Sequence, residues 1–183
     1  MYSESLFFGL RPDPEAIRKI QSTFDDLVRA HGLGGKMVAE ATLHSTLCFV
    51  GRPERLPATP VPDLLQVGAS VRAAPFDVVL DRAAGFAGGS RRFPNVLLFA
   101  EASARAATRL HEAIIEQLHR HGFAVPADET FTPHVTLSRS TTHWAHSDAI
   151  APIRWRAREF ALIQSIYDGV RQHRLLGRWP LRG

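Results

Sequence analysis

The chain has 183 residues, of which 45% are hydrophobic and 22% charged, with a formal net charge of +4. These values fit one globular domain, or two small lobes sharing a core, and exclude disorder, collagen or coiled coil as a description of the whole. The single cysteine, Cys48, excludes an internal disulfide and a CxxC zinc site. No apolar run approaches the ~18 residues of a membrane span, and the first residues have neither a basic n-region nor a cleavable apolar segment, so a cytoplasmic protein with no membrane partner is expected.

Ser5 to Leu10 reads as a strand. Asp13-Pro14 then opens a helix, with aspartate as N-cap and proline at the first helical position, and the apolar stripe Ile17, Ile20, Phe24, Leu27, Val28 runs to Gly32. Residues 38–50 turn strand-like toward their end. Residues 51–63 hold Pro53, Pro57, Pro60 and Pro62 and read as a surface connection. A second helix is expected over 63–72 and a strand over Phe76 to Leu80. A glycine-rich stretch, Ala84 to Pro94, carries Arg91 and Arg92; these fit either an RNA backbone or an exposed hairpin tip. A strand over Asn95 to Glu101 leads to a helix capped by Ser103, striped with Leu110, Ile114 and Leu118 and stopped by Gly122. Phe131 to Arg139 is another strand, and Trp155 to Leu181 holds two strand-like runs around Asp168-Gly169.

A shift of 90 residues lays strand, helix and strand on strand, helix and strand. Comparing 15–47 with 105–137 gives seven identical pairs in 33: Ala16/Ala106, His31/His121, Gly32/Gly122, Thr42/Thr132, His44/His134, Thr46/Thr136 and Leu47/Leu137. The apolar stripe persists as Ile20/Leu110, Phe24/Ile114 and Val28/Leu118. The chain therefore reads as a duplicated β-α-β unit folded into two pseudo-symmetric lobes, with too few copies for a solenoid.

The repeat is sharpest at His44-Ser45-Thr46-Leu47 and His134-Val135-Thr136-Leu137. Residues i and i+2 of a strand share a face, ~6.6 Å apart, so each copy presents an imidazole beside a hydroxyl while its other face builds core. A pseudo-dyad brings the two pairs together across a groove. Two histidines supply a proton donor and a proton acceptor near neutral pH, and two threonine hydroxyls can bind phosphoryl oxygens. Arg139 adds a charged fork to Thr46 and Thr136 as a phosphate-binding residue, provided that the strand ends or bulges, because simple alternation points it away from His134. Cys48 shares the parity of His44 and Thr46 and either lines the groove or fills the core. Trp144 either stacks on a base or packs on the lobe edge; His143 and His146 read as a solvated loop, and His111, His119 and His121 as helix surface.

With these residues the sequence resembles the two-histidine (2H) phosphoesterases, and among them the bacterial and archaeal RNA 2′,3′-cyclic phosphodiesterases, also called 2′-5′ RNA ligases. The resembling segments are Leu6 to Leu10 with Pro12 or Pro14, His44 to Gly51, Phe131 to Arg139, and Leu162 to Ser165 with Trp179-Pro180-Leu181. The resemblance implies a single 2H phosphoesterase domain over 1–183, with a bilobal α+β fold whose antiparallel sheets line a central groove with helices outside. It implies hydrolysis of a 2′,3′-cyclic phosphate on RNA ends or nucleotides to a 2′-phosphate, without metal or cofactor. His44 is then the proton donor and His134 the proton acceptor, and 2′-5′ ligation is the reverse reaction. The family often carries asparagine before the first motif, where this chain has Thr42-Leu43. No obligate protein partner is implied, and a monomer is expected. Two alternatives stand beside this: a groove that binds a nucleotide or RNA end without turnover, and a 2H enzyme for another substrate, such as ADP-ribose cyclic phosphate.

Overall fold

The structure is a computed structural model that describes residues 2–56, 59–87, 92–125 and 131–182. Arg91, Pro57 and part of the glycine-rich stretch lie outside the described residues. Eight strands form two four-stranded antiparallel sheets. In chain order the elements are β1 (Ser3–Leu10), α1 (Pro14–His31), β2 (Ser45–Gly51), α2 (Pro60–Ser70), β3 (Phe76–Gly85), β4 (Phe93–Phe99), α3 (Glu101–Arg120), β5 (His134–Ser140), β6 (Ser147–Ala157), β7 (Glu159–Asp168) and β8 (Val170–Pro180).

The first sheet runs β2-β1-β7-β8 and the second β5-β4-β3-β6. Each places the strand before its long helix at the centre and the strand carrying the His-x-Thr segment at the edge. The two edges meet: β2 touches β5, the Val38 amide donates to the Leu137 carbonyl at 2.8 Å, and Met37 bridges to Ser138. The helices interlock the two halves. α1 lies against β6 of the second sheet, and α3 lies against β2 of the first as well as β3. One hydrophobic core runs through both halves, from Leu6, Phe8 and Leu47 to Leu97, Val135 and Leu137.

Local chemistry accounts for most boundaries. The Asp13 carboxylate accepts from the Ala16 amide at 2.8 Å, and Gly32 closes α1 in the left-handed conformation at φ 62°. α2 starts at Pro60 rather than residue 63, because a proline is well placed in a first helical turn, where the missing N–H has no intrahelical partner anyway. Ser103 does not cap α3. The helix begins at Glu101, and the Ser103 hydroxyl is buried, donating to the Asp77 carbonyl and accepting from the Val79 amide, so it fastens α3 to β3. β6 is an element that the sequence reading missed. His111 is buried rather than on the surface; it sits three residues before Ile114 and seven before Leu118, on the apolar stripe. Its Nδ1 bonds the Leu47 carbonyl at 2.6 Å and its ring stacks on Phe131.

Candidate functional site

The edge strands β2 and β5 share one irregularity. Opposite β1, the register steps between Thr46 and Cys48, so Leu47 and Cys48 are both buried and Phe49 turns outward. Opposite β4, it steps between Thr136 and Ser138, so Leu137 and Ser138 are both buried and Arg139 turns outward. A bulge reverses side-chain parity downstream. It takes Cys48 out of the groove into the core and brings Arg139 into the groove.

The groove between the sheets has a volume of about 740 Å³, and His44, Thr46, His134, Thr136 and Arg139 all line it. The structure thus brings together all five residues singled out from the sequence. That volume lies within the ~300–1,000 Å³ range of small-molecule sites. Trp144 is not among the lining residues; it is buried against His31 and His146. His143 packs near Phe93 instead. His119 and His121 are exposed, as the sequence suggested.

Each imidazole is held in the same way. His44 Nδ1 lies 2.7 Å from the Thr42 carbonyl, and His134 Nδ1 lies 2.7 Å from the Thr132 carbonyl. A carbonyl only accepts, so Nδ1 carries the proton and Nε2 is left for other partners in both rings. Thr42 is itself fixed by its hydroxyl, which donates to the Ala39 carbonyl at 2.8 Å. Thr42 therefore supplies a backbone acceptor from a tight turn.

The rings differ in surroundings. Phe7 lies against His44 with centroids 4.7 Å apart, and His173 meets His44 edge-on at 4.9 Å. Phe86 meets His134 edge-on at 5.0 Å. Burial pushes the His44 imidazole down to about 4 against the opposing pull of its Thr42 bond, and the positive charge of His134, Arg11 and Arg139 acts in the same direction. Burial also lowers His134, again opposed by its carbonyl bond, and Arg139 adds to the lowering. Both shifts favour the neutral imidazole.

His173 is a groove residue that the sequence reading missed. Burial first, then His44, Arg171 and Arg11, push it down to about 3. Its position follows from pairing: β7 and β8 form a hairpin in which Ser165 faces His173 and Tyr167 faces Arg171. Parity counted outward from Asp168-Gly169 places Arg171 and His173 on one face.

Behind the groove, Asn95 and Ser138 are fully buried; the Asn95 amide donates to Ser138 Oγ and the Gly34 carbonyl, and Ser138 Oγ donates to that same carbonyl. Gly35, at φ 89°, passes so close to β5 that a Cβ would sit 2.6 Å from the Arg139 carbonyl. This loop delivers Lys36 to the groove.

Known proteins share this fold. E. coli LigT in its apo form superposes with a TM-score of 0.78 at 24% identity, with both chains covered in full. A crystal structure described as a phosphoesterase gives 0.77 at 25% identity over 99% of each chain, and TT0787 of Thermus thermophilus gives 0.71 at 26% over 98% of each. LigT has also been crystallised with 3′-AMP, with ATP and with NADP+. No curated protein matches the chain. The family model described as the 2′-5′ RNA ligase superfamily matches residues 10–168. With that match over most of its length, the chain belongs to the 2′-5′ RNA ligase superfamily, a family of two-histidine phosphoesterases.

Proposed function

We propose that residues 1–183 act as one two-lobed domain that hydrolyses a 2′,3′-cyclic phosphate on RNA ends or nucleotides to a 2′-phosphate. The observation that carries this reading is the matched pair of Nδ1–carbonyl bonds, which leaves one Nε2 on each side of a groove already lined by two threonines. His134 Nε2 takes a proton from water as the water oxygen bonds to phosphorus. The bond from phosphorus to O3′ breaks, and His44, protonated at Nε2, gives its proton to O3′. The product keeps its phosphate on O2′, and the two histidines have exchanged one proton through substrate and water. Thr46 and Thr136 donate to the non-bridging oxygens, and Arg139 offers charge-assisted bonds as negative charge builds there. A 5′-hydroxyl in place of the water gives ligation by the same steps: His134 takes the hydroxyl proton as O5′ bonds to phosphorus, the bond to O3′ breaks with His44 protonating O3′, and a 2′-5′ linkage forms.

His44 needs its proton for this chemistry, yet burial depresses it to about 4. A bound phosphate anion raises it by opposite charge, so donor and substrate charge together. The test replaces each histidine separately. In His44→Ala and His134→Ala, turnover of an RNA ending in a 2′,3′-cyclic phosphate falls by about 10³-fold or more, since each loses a proton-transfer group, while product affinity changes little. A wild type that binds this RNA and never turns it over contradicts the proposal and makes the groove a binding module.

A further inference from the structure

Two histidine rings touch in the groove, and their nitrogens are held differently. His44 and His173 meet edge-on with centroids 4.9 Å apart and planes at 71°. Phe7 closes the group, 4.7 Å from His44 and 5.5 Å from His173. His173 belongs to neither His-x-Thr segment, yet it lines the same groove.

We infer that His173 is a positioning residue: a neutral ring on β8 that, with Phe7 on β1, clamps the His44 imidazole so that Nδ1 stays on the Thr42 carbonyl and Nε2 stays open to the groove. This rests on the reading of His44 as proton donor and adds a residue to it.

The nitrogens separate the two histidines. His44 Nδ1 has the Thr42 carbonyl at 2.7 Å, so a protonated ring there has one N–H already satisfied and the other left for substrate. His173 Nδ1 is buried and has no hydrogen-bond partner among the described residues. Protonating this ring would make Nδ1 an unpaired buried N–H, a cost that the neutral ring avoids by keeping a lone pair there. Burial acts in the same direction, followed by the charges of His44, Arg171 and Arg11. His173 is thus suited to fill space beside the donor and unsuited to be a third acid.

The two clamping rings stand on paired strands, and His44 does not. Phe7 is buried with Ala161 and Ile163 of β7, and Ile163 lies directly opposite it in register. His173 is fixed across from Ser165 in the β7–β8 ladder. His44 precedes β2, whose first residue is Ser45, so its ring depends on side-chain contacts for its direction. A reacting group displaced by about 1 Å loses about 10²-fold in rate.

The experiment compares His173→Phe, which keeps a flat neutral ring, with His173→Ala, which removes it. With an RNA ending in a 2′,3′-cyclic phosphate, His173→Ala is expected to lower kcat by about tenfold or more, within the scale of such a displacement, and to leave KM within about threefold. His173→Phe is expected to recover most of that loss. Equal losses in the two variants overturn the clamp, because they assign the role to the nitrogens; so does a wild-type kcat in His173→Ala. The His44 ring nitrogens are also observed by NMR without substrate. The Nδ1–H form alone is expected in the wild type and in His173→Phe, and a mixture of both tautomers in His173→Ala. A pure Nδ1–H form in all three overturns the clamp. This second readout needs no turnover, so a wild type that fails to hydrolyse defeats the hydrolytic reading while the clamp is still judged on the ring.

Discussion

Phe49 and Arg139 occupy one position in two copies of the same unit. They are 90 residues apart, each lies three residues beyond its threonine, and each is turned into the groove by a bulge at the intervening leucine. One lobe thus offers a half-exposed aromatic face and the other a guanidinium. A symmetric scaffold acquires a direction from this difference, which suits a substrate with a base at one end and phosphate at the other.

If Phe49 stacks on a base, Phe49→Ala raises KM about tenfold, the scale of base–aromatic stacking, and leaves kcat within about threefold. Its side chain is 53% exposed, so folding should be little affected. Steady-state kinetics decide this; an unchanged KM removes the stacking role.

If His44 and His134 move the protons as proposed, their depressed pKa values set the pH dependence of rate. The kcat/KM profile follows the free enzyme, in which His44 titrates near 4 and His134 below the ordinary 6.5. Both limbs of its bell are therefore expected on the acid side of 6.5. The kcat profile follows the complex, where the bound anion raises the donor, so its basic limb shifts to higher pH. Two profiles with coincident basic limbs contradict this account.

The same shifts predict how stability changes with acid. His44 and His173 titrate near 4 and 3 in the folded protein and near 6.5 when unfolded. Between those values the unfolded chain binds more protons, so stability rises with pH across the interval. Their contribution is complete above about 6.5 and is lost as pH falls toward the folded-state values. Urea midpoints at pH 4.5 and 7.5 should differ less in His173→Gln than in the wild type. An equal or larger difference in the variant contradicts the assignment.

His111 ties the two halves together from behind the groove. His111→Leu keeps an apolar side chain on the stripe but leaves the Leu47 carbonyl without its 2.6 Å partner. A loss of about 1–3 kcal/mol is expected for the orphaned acceptor, read as a lowered denaturant midpoint. A variant as stable as the wild type shows that water or a shift of β2 replaces the bond.

The grouping of the candidate site residues was legible because it is local and repeated. His-x-Thr in each copy fixes an imidazole and a hydroxyl on one face, and the 90-residue shift shows that two such faces exist. Positions that depend on register were harder. Straight alternation sends Arg139 away from His134 and Cys48 toward it, and the bulges reverse both. β6 escaped because Ser147 to Pro152 alternates weakly and includes Pro152, which disfavours a strand interior. His173 meets His44 across 129 residues of sequence, through a hairpin of exposed, arginine-rich residues that carries no apolar pattern. His111 was misread because it was placed on or near the polar side of its helix, whereas it is buried with its Nδ1 on the Leu47 carbonyl, 64 residues away in sequence.

The central claim is most directly tested by the product formed in the presence of chelator. An oligoribonucleotide ending in a 2′,3′-cyclic phosphate is incubated with the protein in EDTA, and the 2′- and 3′-phosphate products are separated. The account predicts the 2′-phosphate alone, at an undiminished rate, with loss of product in both His44→Ala and His134→Ala. A 3′-phosphate product, a rate abolished by EDTA, or turnover that survives either histidine substitution would contradict it.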